Sequence, residues 1–192
     1  MDYKGRGLIG LNNLGNSCFL NSAIQCLSHT IELTDYFITN EYIQDIKKDS
    51  ENKAIPILIQ RYKLLLDAMW EDTPILDGEG VAYSELNVSP KSFKSVLGYL
   101  VQTFIGGGQH DSQECIGYIL DYLHQGLSQT VEMNIEGGQC VSESDKLRLQ
   151  AYKSWKTFFE KEFSIITELF YGQCDNITKC TSCNKESHNF EP

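Results

Sequence analysis

Cys18 stands where a loop rich in glycine and asparagine, Gly10-Leu11-Asn12-Asn13-Leu14-Gly15-Asn16-Ser17, runs into helical apolar spacing at Phe19, Leu20, Ala23, Ile24 and Leu27. Asn16 or Ser17 can serve as the N-cap of that helix, which puts Cys18 in its first turn. Unpaired backbone N–H groups and the helix dipole favour an anion there, the setting of a thiolate nucleophile. A lone cysteine beside an apolar helix is more often a small buried hydrophobe. The dense amides shift that balance. Asn13, five residues before the cysteine, can donate to the oxyanion of an acyl-transfer intermediate.

Two further clusters carry chemistry. Gly106-Gly107-Gly108 leads into Gln109-His110-Asp111-Ser112-Gln113-Glu114-Cys115. Asp111 with Glu114 three residues later is a capping pattern ahead of apolar Cys115, Ile116, Ile119, Leu120, Leu123 and Leu127, so these carboxylates by themselves read as a helix cap. The glycines are not a phosphate loop, because no Lys-Ser/Thr follows them. Near the far end, Cys180-Thr181-Ser182-Cys183 is a Cys-x-x-Cys knuckle between short stretches of strand character, 177–179 and 188–190. Two such cysteines can hold zinc from two sides, but a structural site needs four ligands. No second knuckle exists, and Cys174 and His188 are the nearby extras.

The stretch from Gly10 to Ser22 resembles the cysteine box of the ubiquitin-specific proteases, papain-like deubiquitinating enzymes. The family pattern is Gly-Leu-x-Asn-Leu-Gly-Asn-Thr-Cys-Tyr/Phe-Met-Asn-Ser, and only Ser17 for Thr and Leu20 for Met depart from it. The resemblance makes Cys18 the nucleophile that attacks the carbonyl after ubiquitin's C-terminal glycine, and Asn13 the oxyanion-hole amide. Residues 109–115 resemble the second family signature, Gln-x-Asp-Ala/Ser-x-Glu-Phe, with Cys115 in place of Phe. It implies that Gln109 lies near the nucleophile while Asp111 and Glu114 face the arginines of ubiquitin's tail, a charge-assisted pairing. It also implies that Cys180 and Cys183 are half of a zinc site completed far along a fingers subdomain, with weak or absent zinc binding by this chain alone.

Positioning these residues falls mainly to helices. Leu8 and Ile9 read as a short strand or packed turn. Leu33 to Ile46 reads as one or two short helices broken at Asn40. The cleanest stripe is Ile55, Leu58, Ile59, Tyr62, Leu65, Leu66, Met69 and Trp70, with Pro56 in the first turn. Residues 71–88 read as a loop; Ser89-Pro90 then caps and opens another helix that buries Phe93, Val96, Leu97, Leu100 and Val101. Residues 128–146 read as a polar surface loop, and a helix resumes from Leu147 through Phe163. The expected fold is α+β and papain-like: residues 1–170 the helical thumb, residues 171–192 the first hairpin of zinc-ribbon fingers.

The bulk properties limit the partners. A chain of 192 residues with 41% hydrophobic and 22% charged residues can bury one good core. Its net charge of −10 and the lack of Lys/Arg clusters argue against nucleic acid. No apolar run is long enough for a bilayer and the N-terminus has no hydrophobic signal region, so the expected location is cytoplasm or nucleus, without a membrane partner. Seven cysteines in such a chain read as free thiols or metal ligands rather than disulfides, and the Asn176-Ile177-Thr178 sequon is discounted in that setting.

A cysteine nucleophile needs a base. Of the four histidines, His29, His110, His124 and His188, none stands in the family's histidine signature. The first expectation is therefore a deubiquitinating thiol hydrolase needing no cofactor for catalysis, acting on ubiquitin or ubiquitinated protein, whose His and Asp/Asn come from a C-terminal half outside this chain. The isolated chain is then inactive. The alternatives are a base-less ubiquitin-binding or regulatory module, and a zinc-ribbon interaction piece.

Overall fold

The computed structural model describes residues 6–47, 51–70 and 87–192. It falls into two compact units, Met1–Leu127 and Ser128–Pro192. The boundary thus lies near residue 127, and the 171–192 hairpin groups with the two helices that precede it.

The first unit is built on α1 (Cys18–Ser28), which buries Phe19, Leu20, Ala23, Ile24 and Leu27 as the spacing requires. Each fully buried large apolar side chain contributes about 1.5–3 kcal/mol. Next come α2 (Ile31–Ile38) and the single turn α3 (Tyr42–Asp45), separated at Asn40, whose φ of 66° is the left-handed conformation that asparagine tolerates. α4 (Ala54–Trp70) buries its whole predicted stripe, and Pro56 sits within its first turn. α5 (Lys91–Leu100) starts one residue later than Ser89-Pro90 implies. Pro90 occupies the cap position and its carbonyl accepts the Lys94 N–H at 2.9 Å, while no side-chain cap forms.

α6 (Ser112–Leu127) crosses α4 at Gly126, where an added Cβ would lie 2.8 Å from Ile55 Cγ2 and closer still to Ile59. Only hydrogen fits there. A short parallel ladder pairs β1 (Gly10–Leu11) with β2 (Asn87–Val88), Gly10 opposite Asn87. The strand therefore lies one step beyond Leu8–Ile9; Ile9 is buried and Leu8 exposed. Of the loop expected at 71–88, residues 71–86 lie outside the described residues.

In the second unit, α7 (Glu143–Phe159) begins four residues before the first apolar position that signals it and ends before Phe163. Ser142 and Asp145 form a reciprocal capping box, with Asp145 N to Ser142 Oγ at 3.1 Å and Ser142 N to Asp145 Oδ2 at 2.9 Å. These bonds hold the Asp145 carboxyl below its usual range. Gln129 and Phe163 form an isolated bridge, with N–H to carbonyl bonds of 2.8 and 3.0 Å. The short α8 (Ile165–Phe170) then leads to an antiparallel hairpin of β3 (Cys174–Lys179) and β4 (Glu186–Glu191), with Ile177 opposite His188. α7 holds the hairpin by Ser154 Oγ donating to the Phe190 carbonyl at 2.8 Å. Among the described residues, no helix is long and apolar enough to cross a membrane.

Candidate active site

The loop before α1 is organised by the side-chain oxygen of Asn13. It accepts from Gly15 N at 3.0 Å, Ser17 N at 3.2 Å and Ser17 Oγ at 3.1 Å. Three donors on one oxygen fix the amide's orientation, because reversing it would set N–H against N–H. The two protons on Nδ2 are therefore left to donate, with no partner among the described residues. Gly15, at φ +86°, and Asn16, at φ +48°, make the tight turn this wrapping needs.

Ser17 takes the N-cap position of α1, but its hydroxyl does not cap. It accepts from Leu14 N at 2.8 Å and donates to Asn13. The first turn of α1 is left without a side-chain acceptor, and Cys18 stands exposed in it. Local sequence thus spends the capping hydroxyl on shaping the loop and leaves an anion-favouring turn around the thiol.

The second motif meets the first through two side chains. Asn16 Nδ2 donates to the Gly107 carbonyl at 2.8 Å, and Ser22 Oγ lies 3.2 Å from Ser112 Oγ. Beneath them the His110 ring packs edge-on to Phe19 and Phe104, centroids 5.0 and 5.1 Å apart. Asp111 caps α6 as its spacing implies, Oδ1 accepting from Gln113 N at 2.7 Å. Gln109, Asp111 and Glu114 are exposed, as are Asn13 and Cys18. Cys115 is fully buried, and burial, with Glu114 beside it, pushes its thiol up to about 12. It is a core residue, not a second nucleophile.

Asn16, Ser22 and His110 were not singled out by spacing as parts of the site. The two motifs contain all three, but the partners that join one motif to the other lie about 90 residues away, and a linear pattern does not show which carbonyl an amide will find. Each histidine has its own setting. His29 Nδ1 sits 2.9 Å from the Gln25 carbonyl, His124 is buried in α6, and His188 Nδ1 is 2.8 Å from Asp175 Oδ2. No hydrogen bond from a described residue reaches the Cys18 thiol.

Cys180 and Cys183 flank the hairpin turn, closed by Cys180 N to the Lys185 carbonyl and Asn184 N to the Cys180 carbonyl, both 2.9 Å. The backbone N–H groups of Cys183 and Ser182, then the Cys183 side chain, lower the Cys180 thiol below its ordinary range. Two thiols on one turn fit one side of a tetrahedral zinc. Cys174 lies at the far end of β3, about 20 Å along the strand, and His188 is engaged with Asp175. Among the described residues, no group of three or more potential ligands converges.

A helical unit carrying a cysteine at a helix start, joined to a small antiparallel element, is the α+β, papain-like arrangement of ubiquitin-specific catalytic domains. Residues 9–192 match the family model described as ubiquitin carboxyl-terminal hydrolase, and the chain belongs to that family. Ubiquitin carboxyl-terminal hydrolase 2 of Bos taurus is 33% identical over 192 residues, 98% of this chain and 29% of that protein. Ubiquitin carboxyl-terminal hydrolase 15 of Xenopus tropicalis is 34% identical over 187 residues, 97% of this chain and 18% of that protein. The chain therefore spans less than a third of the length of these curated relatives. Among solved structures, a SAGA DUB module bound to monoubiquitin matches with a TM-score of 0.60 and 17% identity, covering 100% of this chain and 35% of that one. A SAGA DUB module bound to ubiquitin aldehyde matches with 0.58 and 15%, again over 100% and 35%. At these identities the likeness is one of fold.

Proposed function

We propose that this chain is the thumb and first finger hairpin of a cysteine-type deubiquitinase that hydrolyses isopeptide or peptide bonds after the C-terminal glycine of ubiquitin. The observation that carries the reading is the Asn13 amide, five residues before Cys18, its oxygen held by three loop donors and its two Nδ2 protons left to donate. In the proposed reaction the Cys18 thiolate adds to the glycine carbonyl and the developing oxyanion accepts from Asn13 Nδ2. The amine then leaves with a proton, and water releases the acyl group. Gln109 lines the approach to the thiol, and Asp111 and Glu114 bind the basic tail, both being exposed carboxylates at the start of α6.

The general base is a histidine, oriented by Asp or Asn, from a C-terminal half outside residues 1–192. That half also supplies the remaining ligands of a structural zinc at Cys180 and Cys183. Cytoplasm or nucleus is the proposed location, since all seven cysteines stand as free thiols. The test is hydrolysis of a fluorogenic C-terminal amide of ubiquitin by this chain joined to a His-bearing half. Release that Cys18→Ala abolishes is expected; a folded, inactive complex overturns the reading.

One observation favours a second reading. With no described group hydrogen-bonded to the Cys18 thiol, the chain also fits a base-less module that binds ubiquitin and regulates. Saturable binding weakened by Asp111→Ala and Glu114→Ala, without turnover once the complementing half is present, is the outcome that selects it.

A further inference from the structure

Asn21 lies one turn into α1, three residues after Cys18, and its side chain points back at the loop. Nδ2 donates to the carbonyls of Leu11 and Asn12, each at 3.2 Å. Both amide protons are thus spent on two successive peptide groups, and the second of these groups is the one that ends at Asn13. A peptide is planar, so holding the Asn12 carbonyl also sets the plane of the Asn13 N–H. The other face of the same residue is held too, because Asn12 N donates to the Val88 carbonyl at 2.9 Å. Meanwhile Asn21 Oδ1 is buried and has no hydrogen-bond partner among the described residues. An unpaired buried acceptor opposes folding, and turning the amide over would press that oxygen against two carbonyl oxygens. The orientation is dictated by the loop rather than by what would best satisfy the side chain.

We infer that Asn21 is the positioning residue of the oxyanion donor. From the nucleophile's own helix it fixes the backbone that carries Asn13, so thiol and amide are set by one rigid element. This rests on the reading of Asn13 given above, and it makes a separate demand. Asn21 acts through Asn13, so removing either should interrupt one and the same contribution.

The experiment is a double-mutant cycle on turnover of a fluorogenic ubiquitin amide by the full-length protein, with Asn13→Ala, Asn21→Ala and the pair. Misplacing a donor by about 1 Å costs roughly 100-fold, and deleting one costs about 100- to 1000-fold. Asn21→Ala is therefore expected to lower kcat about 10- to 100-fold with KM unchanged. In the Asn13→Ala background it is expected to add no further loss. Asn21→Gln, which keeps both N–H donors, should recover part of the activity and serves as the second variant if Asn21→Ala does not fold. Losses that multiply in the double variant, a rise in KM with kcat intact, or a fall in thermal stability with kcat intact each overturn the inference. An Asn13→Ala enzyme with full activity instead overturns the oxyanion reading itself.

Discussion

Asn16 gives its side-chain amide to the Gly107 carbonyl at 2.8 Å, tying together residues 91 positions apart. This bond and the Ser22–Ser112 contact carry one mechanical task, holding the start of α6 against the start of α1. Asn16→Gly removes the tie and keeps a residue that accepts the φ of 48° at this turn, so Asn13 and Cys18 stay in place. It is expected to lower kcat/KM of the assembled hydrolase by about 10-fold, with both parameters moving, because tail site and thiol lose their mutual register. Steady-state kinetics check this; unchanged constants would remove the tie from the mechanism.

Asp111 has one observed task, the cap of α6, and one proposed task, binding the basic tail, and substitution can separate them. Asn caps helices as well as Asp does, whereas Ala loses about 1 kcal/mol as a cap. Asp111→Asn should therefore keep the melting temperature yet weaken binding of a basic ubiquitin tail. Asp111→Ala should lower both. Calorimetric titration alongside thermal melting distinguishes the two, and full affinity in the Asn variant would reduce Asp111 to a cap.

Six of the seven cysteines are exposed and Cys115 alone is buried. Brief treatment of the native chain with iodoacetamide should label Cys18, Cys26, Cys140, Cys174, Cys180 and Cys183 and spare Cys115 by peptide mass. Burial also gives the thiol a pH signature. Its folded value is raised from 9 to about 12, so the unfolded chain loses this proton first. The stabilisation is therefore complete below pH 9 and is lost as pH rises toward 12. Cys115→Ala should flatten that part of a stability-versus-pH curve.

Zinc offers a check on the half-site. With two thiols on one turn, the isolated chain is expected to bind zinc weakly or not at all, whereas the chain joined to the complementing half should take up one equivalent. A chelator should remove that equivalent, and Cys180→Ser should prevent its uptake. Tight, stoichiometric zinc on the isolated chain would refute the half-site.

Much of the fold could be read from residue periodicity. The stripe of α4 and the buried face of α1 follow from apolar spacing alone, because those helices each face one core. Boundaries fared less well where polar chemistry sets them. α7 starts at Glu143 because Ser142 and Asp145 satisfy each other's backbone, a signal hidden within a stretch that has no apolar period. Of the site, Cys18 and Asn13 were recognisable as a motif, but the braces at Asn16 and Asn21 were not. Their carbonyl partners belong to the backbone, which has no sequence signature, and Gly107 is distant in the chain.

Gly126 has a reach beyond its own packing. It sits at one end of α6, and Asp111 stands just outside the other, about 22 Å away at 1.5 Å per residue. A helix is stiff over that span, so α6 behaves as a lever whose fulcrum is the bare backbone resting on Ile55 and Ile59. A single methyl group at the fulcrum must lift that end, and the tilt is delivered to the carboxylates at the opposite tip. A residue that touches neither Cys18 nor Asp111 thereby sets where the tip of α6 points.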